Sequence, residues 1–292
     1  MSQRLADLLP AEGAGLDLRL WIKSSAYSRR LLLGESGDPW ENASTFLAYF
    51  SQAQGLLKPD VAVVEVGELF DSWLQRNPAA KAELSGKRKI SYPLRKLLEQ
   101  SQPRELLAEV IDAVLAHLRG QIPLVLAMPA PGYWLHLVSR AIGRDDIEMD
   151  SDTIEDSAMY VADLTRSVSS AAVGGLLLEE FPSRQHPEPA DIELYRPLIN
   201  VAKHYRWPLV LRIGEAGVVN NAALTDISAF IGSAATMPGT GAAAGVDVSA
   251  ALWAGEPVPE LMPTQFYFCE IPRDATPELV LDRLAGLKTD SA

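Results

Sequence analysis

Charged residues in this sequence collect where apolar runs stop. Lys23 follows Leu20-Trp-Ile22, Glu65 follows Val61-Ala-Val-Val64, and Glu179 and Glu180 follow Gly174-Gly-Leu-Leu-Leu178. Arg212 follows Leu209-Val-Leu211, with Glu215 just beyond it, and Glu270 follows Phe266-Tyr-Phe-Cys269. Runs that are apolar along their whole length suit parallel strands buried on both faces, which puts these charges at strand ends. Carboxylates opposite Lys23 and Arg212 are the parts needed to hold a zwitterion. They can also divide into an acid and a base through opposed pKa shifts. The competing reading is an ion-pair belt, because a charge near a core is costly unless paired. Alternation along a strand turns only one of Glu179 and Glu180 to a given side, and both stay open.

Other residues join the list. Tyr133 and Trp134 follow the turn Pro129-Ala-Pro131 and could form a flat wall for a ring-shaped ligand; His136, three residues on from Tyr133, could move a proton near neutral pH. Packing at a helix start is the alternative for all three. Arg29 and Arg30 lie in Ser24-Ser-Ala-Tyr-Ser-Arg-Arg30, read as a loop after the first strand, where guanidinium groups can grip carboxylate or phosphate. Glu180, His186 and Cys269 have no recognised metal-ligand spacing, so no metal site is expected. Gly232, Gly239, Gly241 and Gly245 could expose backbone N–H groups to a phosphate, but no Gly-Lys-Ser/Thr follows them.

Eight apolar segments are needed to place these residues. They begin with the alternating Leu16–Ile22 and continue through residues 61–65, 122–128, 173–182 and 208–213. Ile227–Ile231, Gly245–Ala251 and Gln265–Cys269 complete the set. Helical patterns separate them, the clearest running from Pro103 to Leu118 with Leu107, Val110, Ile111 and Val114 on one face. Alternating strands and helices imply parallel β/α units. A single (β/α)8 TIM-type barrel over residues 1–292 is the economical arrangement, with residues 68–121 a helical excursion that could cap the mouth. A doubly wound open sheet is the alternative.

Composition narrows the function. The chain has 292 residues, 48% hydrophobic and 22% charged, and a net charge of -12. That acidity argues against a nucleic-acid footprint. Cys269 is the single cysteine, so neither an intrachain disulfide nor a Cys-rich zinc site can form. The start lacks the apolar region of a signal peptide and no run reaches membrane-spanning length, so a cytoplasmic location is expected. The expected partner is a small molecule, neither nucleic acid nor membrane, with a second copy or a partner subunit also open.

Two stretches carry a family resemblance: Met128-Pro-Ala-Pro-Gly-Tyr-Trp-Leu135 and Ala171-Ala-Val-Gly-Gly-Leu-Leu-Leu-Glu-Glu-Phe-Pro182. With the tail Phe266–Glu278, they resemble the superfamily of uroporphyrinogen decarboxylase and cobalamin-independent methionine synthase over roughly residues 120–290. There the corresponding turn and acidic strand end border the site. The zinc His-X-Cys pair of the methyltransferases is absent here, as is the arginine-loop pattern of the decarboxylases. The resemblance therefore implies a barrel enzyme acting on a small carboxylated or methylated substrate, with methyl transfer favoured over decarboxylation. Its methyl donor would be a folate or a corrinoid, without zinc. A non-catalytic member that binds a metabolite or a partner is the alternative. In the enzyme reading Glu179 or Glu180 supplies acid–base chemistry or anchors an amine, Lys23 and Arg212 hold an anionic group, and Tyr133 and Trp134 line the pocket.

Overall fold

A computed structural model describes residues 4–10, 18–85, 89–144, 147–181, 190–215, 217–218, 223–233, 238 and 242–289. Eight parallel strands form one sheet: β1 (Leu20–Lys23), β2 (Ala62–Glu65), β3 (Leu124–Pro129), β4 (Gly175–Glu179), β5 (Leu209–Arg212), β6 (Ala229–Gly232), β7 (Ala243–Asp247) and β8 (Gln265–Glu270). Their order is β1-β8-β7-β6-β5-β4-β3-β2, so each strand lies beside its neighbour in sequence and β8 returns to β1. The result is a nearly closed (β/α)8 TIM-type barrel. Among the described residues, no ladder joins β1 to β2, which leaves a seam between them.

Hydrophobic burial on both faces holds the strands in place. Inside the barrel, Trp21, Val61, Val125, Ala127, Leu177 and Val210 meet Ala229, Ile231, Phe266 and Phe268 in one cluster. The short helix α1 (Leu5–Leu8) adds Leu5 and Leu8 to that cluster and closes the end of the barrel where the strands begin. The interior is therefore packed at that end, and the larger open spaces lie at the opposite end. Gly245 lies in β7 and serves this packing: a Cβ there would fall 2.7 Å from the Phe266 ring. It is not part of a phosphate loop; Gly239 and Gly241 lie outside the described residues, as does His186.

The helices cover the outside. Helices α2 (Ser25–Leu33) and α3 (Ala43–Leu57) follow β1, the second capped by Asn42, whose side chain accepts from the Thr45 N–H. The excursion between β2 and β3 is helical throughout its described part: α4 (Val66–Arg76), α5 (Pro78–Ser85), α6 (Ser91–Leu98) and α7 (Ser101–Leu118). Helix α8 (Pro131–Ala141) starts directly after β3, and α9 (Ser151–Ser167) precedes β4. The circuit closes with α10 (Arg196–Tyr205), α11 (Ser249–Ala254) and α12 (Pro277–Thr289).

Two segments depart from the sequence reading. Ser25–Arg30 is helical rather than a loop, because Tyr27 and Ser28 bury on one face while Arg29 and Arg30 remain at the surface. The seventh strand ends at Asp247 and the chain turns into α11 at Ser249, where the Asp247 carboxylate accepts from the Ser249 N–H at 3.0 Å.

Candidate active site at the C-terminal mouth

Side chains alternate along each strand, so the residues in step with the interior cluster emerge at the strand ends as a ring. They are Lys23 of β1, Glu65 of β2, Glu179 of β4, Arg212 of β5, Asp247 of β7 and Glu270 of β8. Two cations thus face four carboxylates. The Lys23 ammonium donates to both Glu179 oxygens, at 2.5 and 2.6 Å. Arg212 reaches Glu179 at 3.2 Å, Asp247 at 3.2 Å and Glu270 at 2.7 Å, with its guanidinium 4.6 Å from the Phe268 ring centre. Ser249 ties the far side together: its hydroxyl donates to Asp247 at 2.5 Å and accepts from the Glu270 N–H at 2.8 Å.

The ring holds its members at different protonation tendencies. Burial works against the Lys23 charge, but Glu65, Glu179 and Glu270 outweigh it and hold the ammonium above its ordinary value. Burial likewise opposes ionisation of Glu179, and Lys23 and Arg212 overcome it, keeping that carboxyl below the usual range. Glu65 behaves oppositely. It accepts no hydrogen bond from a described side chain; burial, opposed by Lys23 and reinforced by Glu179, pushes it up to about 8. One mouth carboxyl is therefore a neutral acid near pH 7 while its neighbour is an anion, the division that acid–base chemistry needs.

Glu179 and Glu180 are separated by the strand's pleat. Glu180 turns into the helical layer, 8% exposed, where the Tyr195 hydroxyl donates to it at 2.6 Å. Burial pushes Glu180 up to about 7, against the Tyr195 and Phe181 hydrogen bonds. The two strand ends pass closely: a Cβ on Gly214 would lie 2.3 Å from the Phe181 carbonyl, so only glycine fits.

Open space lies on both sides of the Lys23–Glu179 pair. One lobe, of about 490 Å³, is polar and bordered by Arg212, Glu215, Asp247, Ser249 and Glu270. The other, of about 620 Å³, lies beneath the excursion and is bordered by Glu65, Phe70, Leu74, Lys81, Leu97 and Arg140. Both share Lys23, Tyr133 and Glu179. The excursion thus flanks the mouth and forms one wall of it.

Of the residues singled out from sequence, Lys23, Glu65, Glu179, Arg212 and Tyr133 come together here, with Glu215 exposed at the rim. Trp134 borders the lobe beneath the excursion, 2% exposed and edge-on to Phe70 with 6.0 Å between ring centres. Three others border neither lobe. His136 sits edge-on to Phe181 at 5.4 Å and borders neither lobe. Arg29 is on α2 and pairs at 3.7 Å with Glu68, which borders the lobe beneath the excursion. Cys269 points out of the barrel into the α12 side, fully buried, its thiol pushed up to about 12 by burial. Asp247 and Ser249 went unnoticed in the sequence; the Asp-X-Ser spacing, with a helix starting at the serine, was their signal.

No family model matches the chain, and no curated protein matches it. Among solved structures it is similar to dihydrodipicolinate synthase from Agrobacterium tumefaciens, with a TM-score of 0.37 and 13% identity, over 86% of this chain and 70% of that one. A likeness that distant carries nothing about activity.

Proposed function

We propose that this chain is a barrel enzyme that transfers a small group, a methyl by preference, between two small molecules held in the two lobes. The observation that carries this reading is the shared wall: Lys23, Tyr133 and Glu179 border both lobes, so a donor and an acceptor can meet across them. The polar lobe suits a zwitterion, whose carboxylate is drawn by Arg212 and whose amine is drawn by Asp247 and Glu270. With Glu65 protonated, the ring carries three negative and two positive charges, a net negative charge that draws a substrate's ammonium. Resemblance of the Pro129-Ala-Pro turn and the acidic end of β4 to methionine-synthase-like barrels supports methyl as the group moved.

The lobe beneath the excursion fits a folate. Its 620 Å³ lies in the range of drug-sized ligands, with Phe70 and Leu74 for a flat ring and Lys81 and Arg140 for a carboxylate tail. Such a donor supplies an electrophilic methyl; the chain's residues orient the acceptor, exclude water and manage its proton. Glu179, held as an anion, would face the acceptor's proton, and Glu65 would hold the proton that a departing donor takes up.

A second reading, decarboxylation, has its own support. Loss of CO2 leaves an electron pair that needs a proton, and Glu65 is a neutral acid beside Lys23. Incubating the protein with 13C-methyl-labelled methyltetrahydrofolate and a panel of small amino acids and thiols separates the two. Labelled product that depends on both molecules supports transfer, whereas CO2 release without donor supports decarboxylation. Shifts in melting temperature with neither product would leave a metabolite-binding protein and sink both.

A further inference from the structure

A third space opens at the seam, where β1 and β2 lack a ladder among the described residues. It is a cavity of about 60 Å³, and its lining is mixed. Trp40, Phe46 and Phe50 supply apolar wall, and Ser24, Ser25 and Gln54 supply polar wall. Lys23, Glu65 and Glu68 border both this cavity and the lobe beneath the excursion, so Glu65 stands between the two spaces. Two polar groups here have no hydrogen-bond partner among the described side chains. One is the Glu65 carboxyl; the other is the indole N–H of Trp40, a residue only 1% exposed.

We infer that the seam cavity is a water site, and that its water serves as the proton reservoir of Glu65. The second half rests on the acid role proposed for that residue. Size and chemistry set the occupant. One water needs about 10–15 Å³ of such space, so the cavity takes about four. Dry cavities in proteins are apolar, whereas carboxyls, hydroxyls and an amide give water the partners it needs. Water also completes the hydrogen bonds that Glu65 and the Trp40 N–H otherwise leave unmade. With a molecule in the lobe beneath the excursion, the seam is the side from which Glu65 still meets water. Once Glu65 has given up its proton, a cavity water donates one to the carboxylate and takes one from its neighbour. The hops end at the surface, which the half-buried Ser24, Ser25 and Gln54 reach, and bulk solvent supplies the last proton.

The test compares two indoles by NMR in the full chain labelled with 15N-tryptophan. Trp21 is the control: it too is buried with an unpaired indole N–H, but it lies in the packed interior cluster and borders neither the seam cavity nor either lobe. Magnetisation from water is expected to reach the Trp40 N–H at least about tenfold faster than that of Trp21. Equal rates overturn the water site. Ala53 also borders the cavity, from α3, and Ala53→Leu fills it. In that variant the Trp40 rate is expected to fall to that of Trp21. The Glu65 titration midpoint, read from a 13C-labelled carboxyl assigned by its loss in Glu65→Gln, is expected to rise by about one pH unit as the carboxylate loses its water. The remaining indole signals, unmoved, show that the variant is folded; Ala53→Val, a smaller fill, decides the matter if it is not. An unmoved Glu65 midpoint in a variant that has lost Trp40 exchange overturns the reservoir. Neither readout uses a ligand or turnover, so failure of the acid role shows separately, as absence of both products in the labelled-methyl incubation.

Discussion

Both carboxylate oxygens of Glu179 rest on the ammonium of Lys23, at 2.5 and 2.6 Å, so a cation from β1 and an anion from β4 span the mouth as one unit. The two side chains are 16% and 12% exposed, little enough for the pair to be poorly screened. Lys23→Met leaves Glu179 with Arg212 alone and is expected to cost about 3 kcal/mol in urea unfolding. Glu179→Gln should cost a similar amount, and the double variant should recover part of the loss. A double variant whose loss equals the sum of the singles would show that the pair is not coupled.

Glu65 sets the pH behaviour of the reaction. Its carboxyl keeps its proton below about 8, so a step in which it donates is fast below that pH and slows as pH rises through it. Glu65→Gln is expected to lower turnover about 10²–10⁴-fold and to remove that limb of the profile. An unchanged limb in the variant would assign it to another group.

Glu180 makes a prediction about stability rather than rate. Its folded value of about 7 lies above the ordinary 4.5, so the folded state binds the extra proton between those values. Stability therefore falls as pH rises across that window, and the full cost of a buried anion is present above it. Glu180→Gln keeps an acceptor for Tyr195 and removes the charge. It is expected to stabilise the protein by up to about 3 kcal/mol at pH 8, at about 1.4 kcal/mol per pH unit, and by little at pH 4. Equal melting temperatures for variant and parent at pH 8 would count against the shift.

Arg212 contacts three carboxylates and the face of Phe268 at once. A lysine keeps the charge but has neither the planar fork nor the stacking surface. Arg212→Lys is therefore expected to weaken binding of a carboxylated ligand about tenfold or more, read by titration, with the fold retained by circular dichroism. Parent-like affinity would place the ligand's carboxylate elsewhere.

The barrel was legible because most strands announce themselves. Leu124–Pro129 is buried at every position and reads as one apolar run, and the runs of β4, β5 and β8 are nearly as plain. The seventh strand was obscure for a physical reason. Its Ala243-Ala-Gly245 must stay small to admit Phe266, which removes the bulky side chains by which strands are recognised. Strand ends gave away Lys23, Glu65 and Arg212, but Glu179 and Glu180 differ only in the phase of the pleat, and that phase is set by pairing with Arg212 and Pro129. Trp134 and His136 could not be placed from sequence, because an aromatic after a turn has the same sequence signature whether it faces a ligand or a neighbouring helix. Which face α8 presents is decided by Phe70 and Phe181, far away in the chain.

The open seam makes the mouth adjustable from a distance. In a ring of strands joined all round, backbone bonds would fix the spacing between Lys23 and Glu65. Here, among the described residues, the ring has two free ends and those residues ride on them, with Phe46 and Phe50 of α3 lining the same cavity as both. Helix α3 thus works like a tuning screw: a change in its bulk, touching no charged group, alters how firmly the acid of β2 is pressed against the cation of β1.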